Sequence, residues 1–146
     1  MALEISCGCI VFKEFQKQTK VLLIKQKNGY WTFPKGHQEG NETFLETAKR
    51  ELLEETSIPS DQYLEIIDSK TYDNQYVLAN GNNKEVHFFL AKYYGSLNPK
   101  RQISEVDKIG FFPLTRAMNL ITYPTNKKQL QEAYRDYQIW QTKTRN

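Results

Sequence analysis

Glutamates crowd one short stretch of this 146-residue chain, at positions 39, 42, 46, 51, 54 and 55. Three of them, Glu51, Glu54 and Glu55, are spaced i, i+3, i+4. On a helix turning ~100° per residue they share an arc of roughly 100°. Like charges at that spacing cost roughly a few tenths of a kcal/mol per pair, and a divalent cation relieves that cost. Oxygen-only ligands suit Mg²⁺, with Mn²⁺ as a substitute. The rest of the chain is slightly basic, with 20 Lys and Arg against 17 Asp and Glu overall. An acidic patch in such a background points to a cation site beside an anionic substrate.

The elements around the cluster follow from pattern. Thr43-x-x-Glu46 fits a capping box, and the helix it opens runs to about Thr56, with Pro59 just beyond its end. Phe44, Leu45, Ala48 and Leu52 form its apolar stripe. The carboxylate arc borders that stripe, which places it at the rim of the fold. Ile5–Phe12 and Lys20–Lys25 read as a hairpin. Asn28-Gly29 is a turn, and Tyr30–Phe33 is a short strand stopped by Pro34. Residues 36–40 read as a loop. Further strands are expected over Leu64–Tyr72, Lys84–Tyr94 and Lys108–Phe112, with a turn at residues 80–83. Helices are expected over Pro113–Leu120 and Lys127–Thr142. The mixture describes a sheet flanked by helices in one domain spanning residues 1–146.

Gly36, five residues, Glu42, seven residues, then Arg50-Glu51-Leu52-Leu53-Glu54-Glu55-Thr56-Ser57-Ile58 resembles the signature of the Nudix hydrolases, G-x5-E-x7-R-E-U-x-E-E-x-G-U. Over residues 36–58 the departure is Ser57 in place of the second glycine, which leaves the helix exit in question but not the chemistry. The resemblance implies an α/β/α sandwich with a mixed central sheet, and metal-dependent cleavage of a phosphoanhydride bond in a nucleotide. It further implies Glu51 and Glu55 as metal ligands, helped by the backbone carbonyl of Lys35 or Gly36. Glu54 would be the general base or a shared ligand. Arg50 would orient a glutamate and pair with Glu42, and Glu105 would join from a distal loop.

Trp31-Thr32-Phe33-Pro34-Lys35-Gly36-His37 is similar to the W-x-x-P-K-G-H stretch of the asymmetrical diadenosine tetraphosphate hydrolases, a branch of that family. That likeness implies phosphate contacts from Lys35 and His37 and a base held by Tyr76 and Tyr123, with Lys84 on a phosphate. Three other readings stand beside it. One is a pyrophosphohydrolase of nucleoside triphosphates, including oxidised ones. Another is a silent nucleotide-binding module, which the intact Glu51, Glu54 and Glu55 disfavour. The third is RNA binding through Lys127, Lys128, Arg135, Lys143 and Arg145. The interleaved Leu130, Ala133, Tyr137 and Trp140 make that last helix a packing helix instead.

A formal charge of +3 is too small to signal nucleic-acid binding by itself. No stretch approaches the ~20 apolar residues of a membrane span, and the first residues lack the build of a secretory signal. The expectation is a cytoplasmic, monomeric enzyme with a small-molecule partner. Cys7 and Cys9, two apart on one strand face, lack a second ligand pair and read as buried packing residues.

Overall fold

The computed structural model describes residues 2–144; Arg145 of the basic C-terminal stretch lies outside them. A seven-stranded mixed sheet carries β1 (Leu3–Phe15), β2 (Gln18–Gln26), β3 (Trp31–Thr32), β4 (Lys35–His37), β5 (Leu64–Val77), β6 (Asn83–Tyr93) and β7 (Val106–Pro113). Its central path runs β3-β2-β1-β6-β5, while β4 pairs with β1 and β7 with β2. The β1–β6 pair is parallel, with Glu4 opposite Lys84 and Cys7 opposite His87; the others are antiparallel.

Helix α1 (Phe44–Thr56) covers one face; α2 (Leu114–Leu120) and α3 (Pro124–Thr144) cover the other. The period of two along β1 shows why. Cys7, Cys9 and Val11 pack with Ala48, Leu52 and Ile58 on the α1 side. Ile10 and Phe12 pack with Ala117, Leu130, Ala133 and Tyr137 on the other. This is the α/β/α sandwich expected. Both cysteines are fully buried and reduced, and burial pushes each thiol up to about 12.

Three local expectations need correction. Gly36 and His37, expected in a loop over residues 36–40, instead belong to a strand over Lys35–His37, because β1 offers it an open stretch at Ser6–Gly8. The strand expected over Tyr30–Phe33 shrinks to Trp31–Thr32. The strand that starts at Leu64 runs on to Val77, crossing a register shift between Ile67 and Thr71, and carries Tyr76 as a strand residue. Among the described residues no helix is long and apolar enough to cross a membrane.

Candidate active site

Helix α1 begins as its capping box directs. Thr43 Oγ1 accepts from the Glu46 amide at 3.1 Å, and Glu46 Oε1 accepts from the Thr43 amide at 2.8 Å. The helix ends at Ser57, whose φ of 65° is left-handed. Glycine is favoured there, and serine keeps the turn, its amide donating to the Leu53 carbonyl at 2.9 Å.

Between these ends the three glutamates take different environments. Glu51 and Glu55 are buried, not at the rim, and Glu54 is exposed. Glu51 lies against Gly36 so closely that a β-carbon there would overlap its carboxyl group. Glu55 Oε1 accepts from the Lys35 amide at 2.9 Å. Thus β4, the strand read as a loop, forms the wall against which both buried carboxylates rest.

Arg50 ties the cluster together. Its Nε donates to Glu42 Oε2 at 2.6 Å and its Nη2 to Glu42 Oε1 at 3.0 Å. Nη1 donates to Glu51 Oε1 at 2.9 Å and to both Glu54 oxygens at 3.2 Å, while Nη2 also donates to the His37 carbonyl at 2.8 Å. Burial raises the Glu51 carboxyl above its ordinary range against the pull of Arg50. Burial, then the charge of Glu51, pushes Glu55 up to about 8. Glu105 sits in the turn before β7, exposed, and its charge adds a smaller push to both.

These residues fit a divalent cation. Two buried carboxylates stand side by side with too little positive charge to ionise both easily. Among the described residues no His, Cys, Asp and Glu side chains converge into a closed metal cage. Magnesium does not need one, since it binds through one or two carboxylates together with water and substrate phosphates.

Beside the cluster opens a cleft of about 730 Å³, and Lys35, His37, Tyr76, Lys84 and Tyr123 all line it. Lys84 is 5% exposed and its Nζ donates to Ser6 Oγ at 2.6 Å. Burial, then repulsion from Lys35, lowers it to about 8. Lys35 is lowered too, chiefly by burial. Burial and then Lys84 hold the His37 imidazole below its usual value, although Glu4 lies 3.7 Å away. Tyr123 meets Tyr30 edge-on, with ring centroids 5.2 Å apart, at the mouth. A second hollow of about 730 Å³, between Trp31, Phe112 and Arg101, holds none of the expected residues.

Sequence reading missed Tyr30, Ser6, Glu4, Asn74 and Asn126 on or beside the cleft. The Asn28-Gly29 turn was a signal for Tyr30, which it presents to solvent. Nothing local marks the others, since strand pairing and the start of α3 bring them in.

Buried carboxylates on one helix beside a cleft of lysines and tyrosines form an arrangement chemically suited to a cation and a phosphate-bearing ligand. The chain matches the NUDIX domain family over residues 3–135 and belongs to the Nudix family as a Nudix hydrolase. Members of the family use divalent metal ions. The chain is 33% identical to the mouse (Mus musculus) asymmetrical bis(5'-nucleosyl)-tetraphosphatase over 137 residues, 88% of this chain and 92% of that protein. It is 34% identical to the pig (Sus scrofa) protein of the same name, with the same coverage. In fold it resembles an Ap4A hydrolase binary complex from C. elegans, with a TM-score of 0.84 at 22% identity, over 93% of this chain and 98% of that one.

Proposed function

We propose that this protein is an asymmetrical bis(5'-nucleosyl)-tetraphosphatase, adding water to diadenosine tetraphosphate to give ATP and AMP. One observation carries the reading: five residues from four separate segments of the chain line a single cleft, and one of them, Lys35, also touches the glutamate cluster. Lys35 joins the two directly, lining the cleft while its amide binds Glu55.

Lys35 and Lys84 hold the phosphate chain by charge, and His37 hydrogen-bonds to it. Tyr76 and Tyr123 stack on a base, an interaction worth ~1–3 kcal/mol in nucleic-acid systems. Glu51, Glu55 and a carbonyl of Lys35 or Gly36, with Glu105 from its turn, hold Mg²⁺, for which Mn²⁺ substitutes. When bound, the metal offsets phosphate charge and lowers the pKa of a coordinated water. Glu54, the accessible carboxylate of the three, takes the proton of the attacking water. Arg50 orients Glu51 and Glu54 and is itself fixed by Glu42.

Incubation with diadenosine tetraphosphate and Mg²⁺, in parallel with ATP, dGTP and 8-oxo-dGTP, tests the reading by anion-exchange separation of products. ATP and AMP in equal amounts, with the triphosphates spared, are expected. Conversion of a triphosphate to monophosphate and pyrophosphate, with the dinucleotide intact, would overturn it in favour of a triphosphate pyrophosphohydrolase.

A further inference from the structure

Among the described residues that line the cleft, Glu4 is the one carboxylate. Phosphate binding does not account for it, since its charge repels the groups that Lys35, Lys84 and His37 attract. Strand pairing fixes its place. Tyr76 stands opposite Lys84 across β5 and β6, and Lys84 stands opposite Glu4 across β6 and β1. Residues paired directly share a face of the sheet, so the three make one row. His37 pairs with Ser6, two residues beyond Glu4 on the same face, and its Nε2 lies 3.7 Å from Glu4 Oε1. Burial raises the Tyr76 phenol, and the Glu4 charge raises it further. Glu4 thus stands at a boundary, with the tyrosine on one side and the cations on the other.

The carboxylate is held at one end. Asn82 Nδ2 donates to Glu4 Oε2 at 2.9 Å, while Asn82 Oδ1 accepts from the Ala2 amide at 3.3 Å. Reversing the Asn82 amide would lose both bonds, so its orientation is fixed. The bond from Asn82 keeps the Glu4 carboxyl below its usual value. An ionised carboxylate only accepts, whichever way it turns. Oε1 makes no hydrogen bond among the described residues, and the side chain is 30% exposed.

We propose that Glu4 accepts hydrogen bonds from the 2'- and 3'-hydroxyls of a bound ribose, and so selects ribonucleotides over 2'-deoxyribonucleotides. In a nucleotide the sugar lies between base and phosphate. A base on Tyr76 with a phosphate on Lys84 and His37 leaves the sugar beside Glu4. Its hydroxyls are donors, and a carboxylate is well suited to take them. A site built around a substrate hydroxyl discriminates against the analogue that lacks it. The inference rests on the reading that a nucleoside stacks on the cleft tyrosines, and it adds which sugar is taken and by which side chain.

Calorimetric titration with AMP and with dAMP tests it without turnover. The wild-type protein should favour AMP on the order of tenfold, the worth of one hydrogen bond to a charged group. Glu4→Ala should bring the two affinities close to equal, with dAMP bound no more weakly than before. Glu4→Gln, which keeps the size of the side chain and gives up its charge, should shrink the preference, and serves if Glu4→Ala folds poorly. A Glu4 that only balanced the charge of Lys84 and His37 would, when replaced, shift both nucleotides alike and keep their ratio. Such an unchanged ratio, equal affinities in the wild type, or no binding of either nucleotide would overturn the proposal. Turnover of diadenosine tetraphosphate, followed in parallel, keeps the two ideas apart. Turnover without a ribose preference would sink the sugar contact alone, and a ribose preference without turnover would sink the tetraphosphatase reading alone.

Discussion

Glu42 grips Arg50 at two points, with Oε2 taking Nε at 2.6 Å and Oε1 taking Nη2 at 3.0 Å. A planar guanidinium held this way has no freedom to rotate, so its remaining donor, Nη1, is aimed at Glu51 and Glu54. Glu42 is supported in turn by the Glu39 amide at 3.0 Å and by the Thr47 hydroxyl at 2.9 Å. Glu42, nine residues before Glu51, thereby sets where the charges of the cluster lie.

The hydrogen bonds from Arg50, and next from the Glu39 amide, hold the Glu42 carboxyl at about 2, below its ordinary 4.5. A lowered folded-state value means stability that is present above pH 4.5 and lost as pH falls toward 2. Glu42→Gln should reduce stability at pH 7 and flatten this acid limb. Thermal melts between pH 2 and 7 check it, and parallel limbs for the two proteins would refute the account. Activity should fall at least tenfold as Arg50 loosens.

Glu55 works in the opposite sense. Its folded value of about 8 lies above the ordinary 4.5, so metal-free protein loses stability as pH climbs from 4.5 through 8. Glu55→Gln removes that loss and can still accept the Lys35 amide. In EDTA the variant should gain on the wild type in melting temperature from pH 5 to 8.5. Added Mg²⁺ should stabilise the wild type more at pH 8.5 than at pH 6, because binding requires the ionised carboxylate. The variant should respond little to Mg²⁺ and hydrolyse little substrate.

Gly36→Ala places a methyl group where the Glu51 carboxyl sits. Overpacking of this kind costs ~1–3 kcal/mol, and Glu51 must move to accommodate it. A loss of activity well beyond the loss of stability is expected, measured by kcat and a denaturant titration on the same preparation. Unchanged kcat would show that Glu51 does not need its place against β4.

Ser57→Gly should stabilise the protein. A left-handed φ costs an L-residue roughly 1–2 kcal/mol, and the greater backbone entropy of unfolded glycine returns ~0.5–1 kcal/mol of that. The net gain is at most about 1.5 kcal/mol, visible as a rise of a few degrees in melting temperature. The Ser57 hydroxyl bond to the Lys100 carbonyl, at 3.3 Å and exposed, offsets little of it.

The glutamate helix was legible because everything that shapes it is local. Thr43 and Glu46 cap it three residues apart, and the i, i+3, i+4 spacing fixes where the carboxylates point. The depth of Glu51 and Glu55 was not legible, since it depends on β4 closing over them. Lys35–His37 hid its strand behind a glycine and the preceding proline, and its partner, Ser6–Gly8, lies nearly thirty residues earlier. Tyr76 and Lys84 could be singled out as residue types, yet their placement opposite each other on β5 and β6 is a matter of register. Asn126 gave no local signal, because the start of α3 brings it to the cleft.

The parallel pairing of β1 with β6 has a consequence for how the molecule comes into being. Residues 3–12 wait for residues 83–92 before their ladder can form, and closing so long a loop is a slow, entropically costly step. Helix α1 can form early from its own cap, but Lys84 reaches Ser6 only when that ladder zips. On the ribosome, the glutamates would therefore be in place on their helix well before the cleft exists. A nascent chain would acquire its carboxylates first and its capacity to hold a nucleotide last.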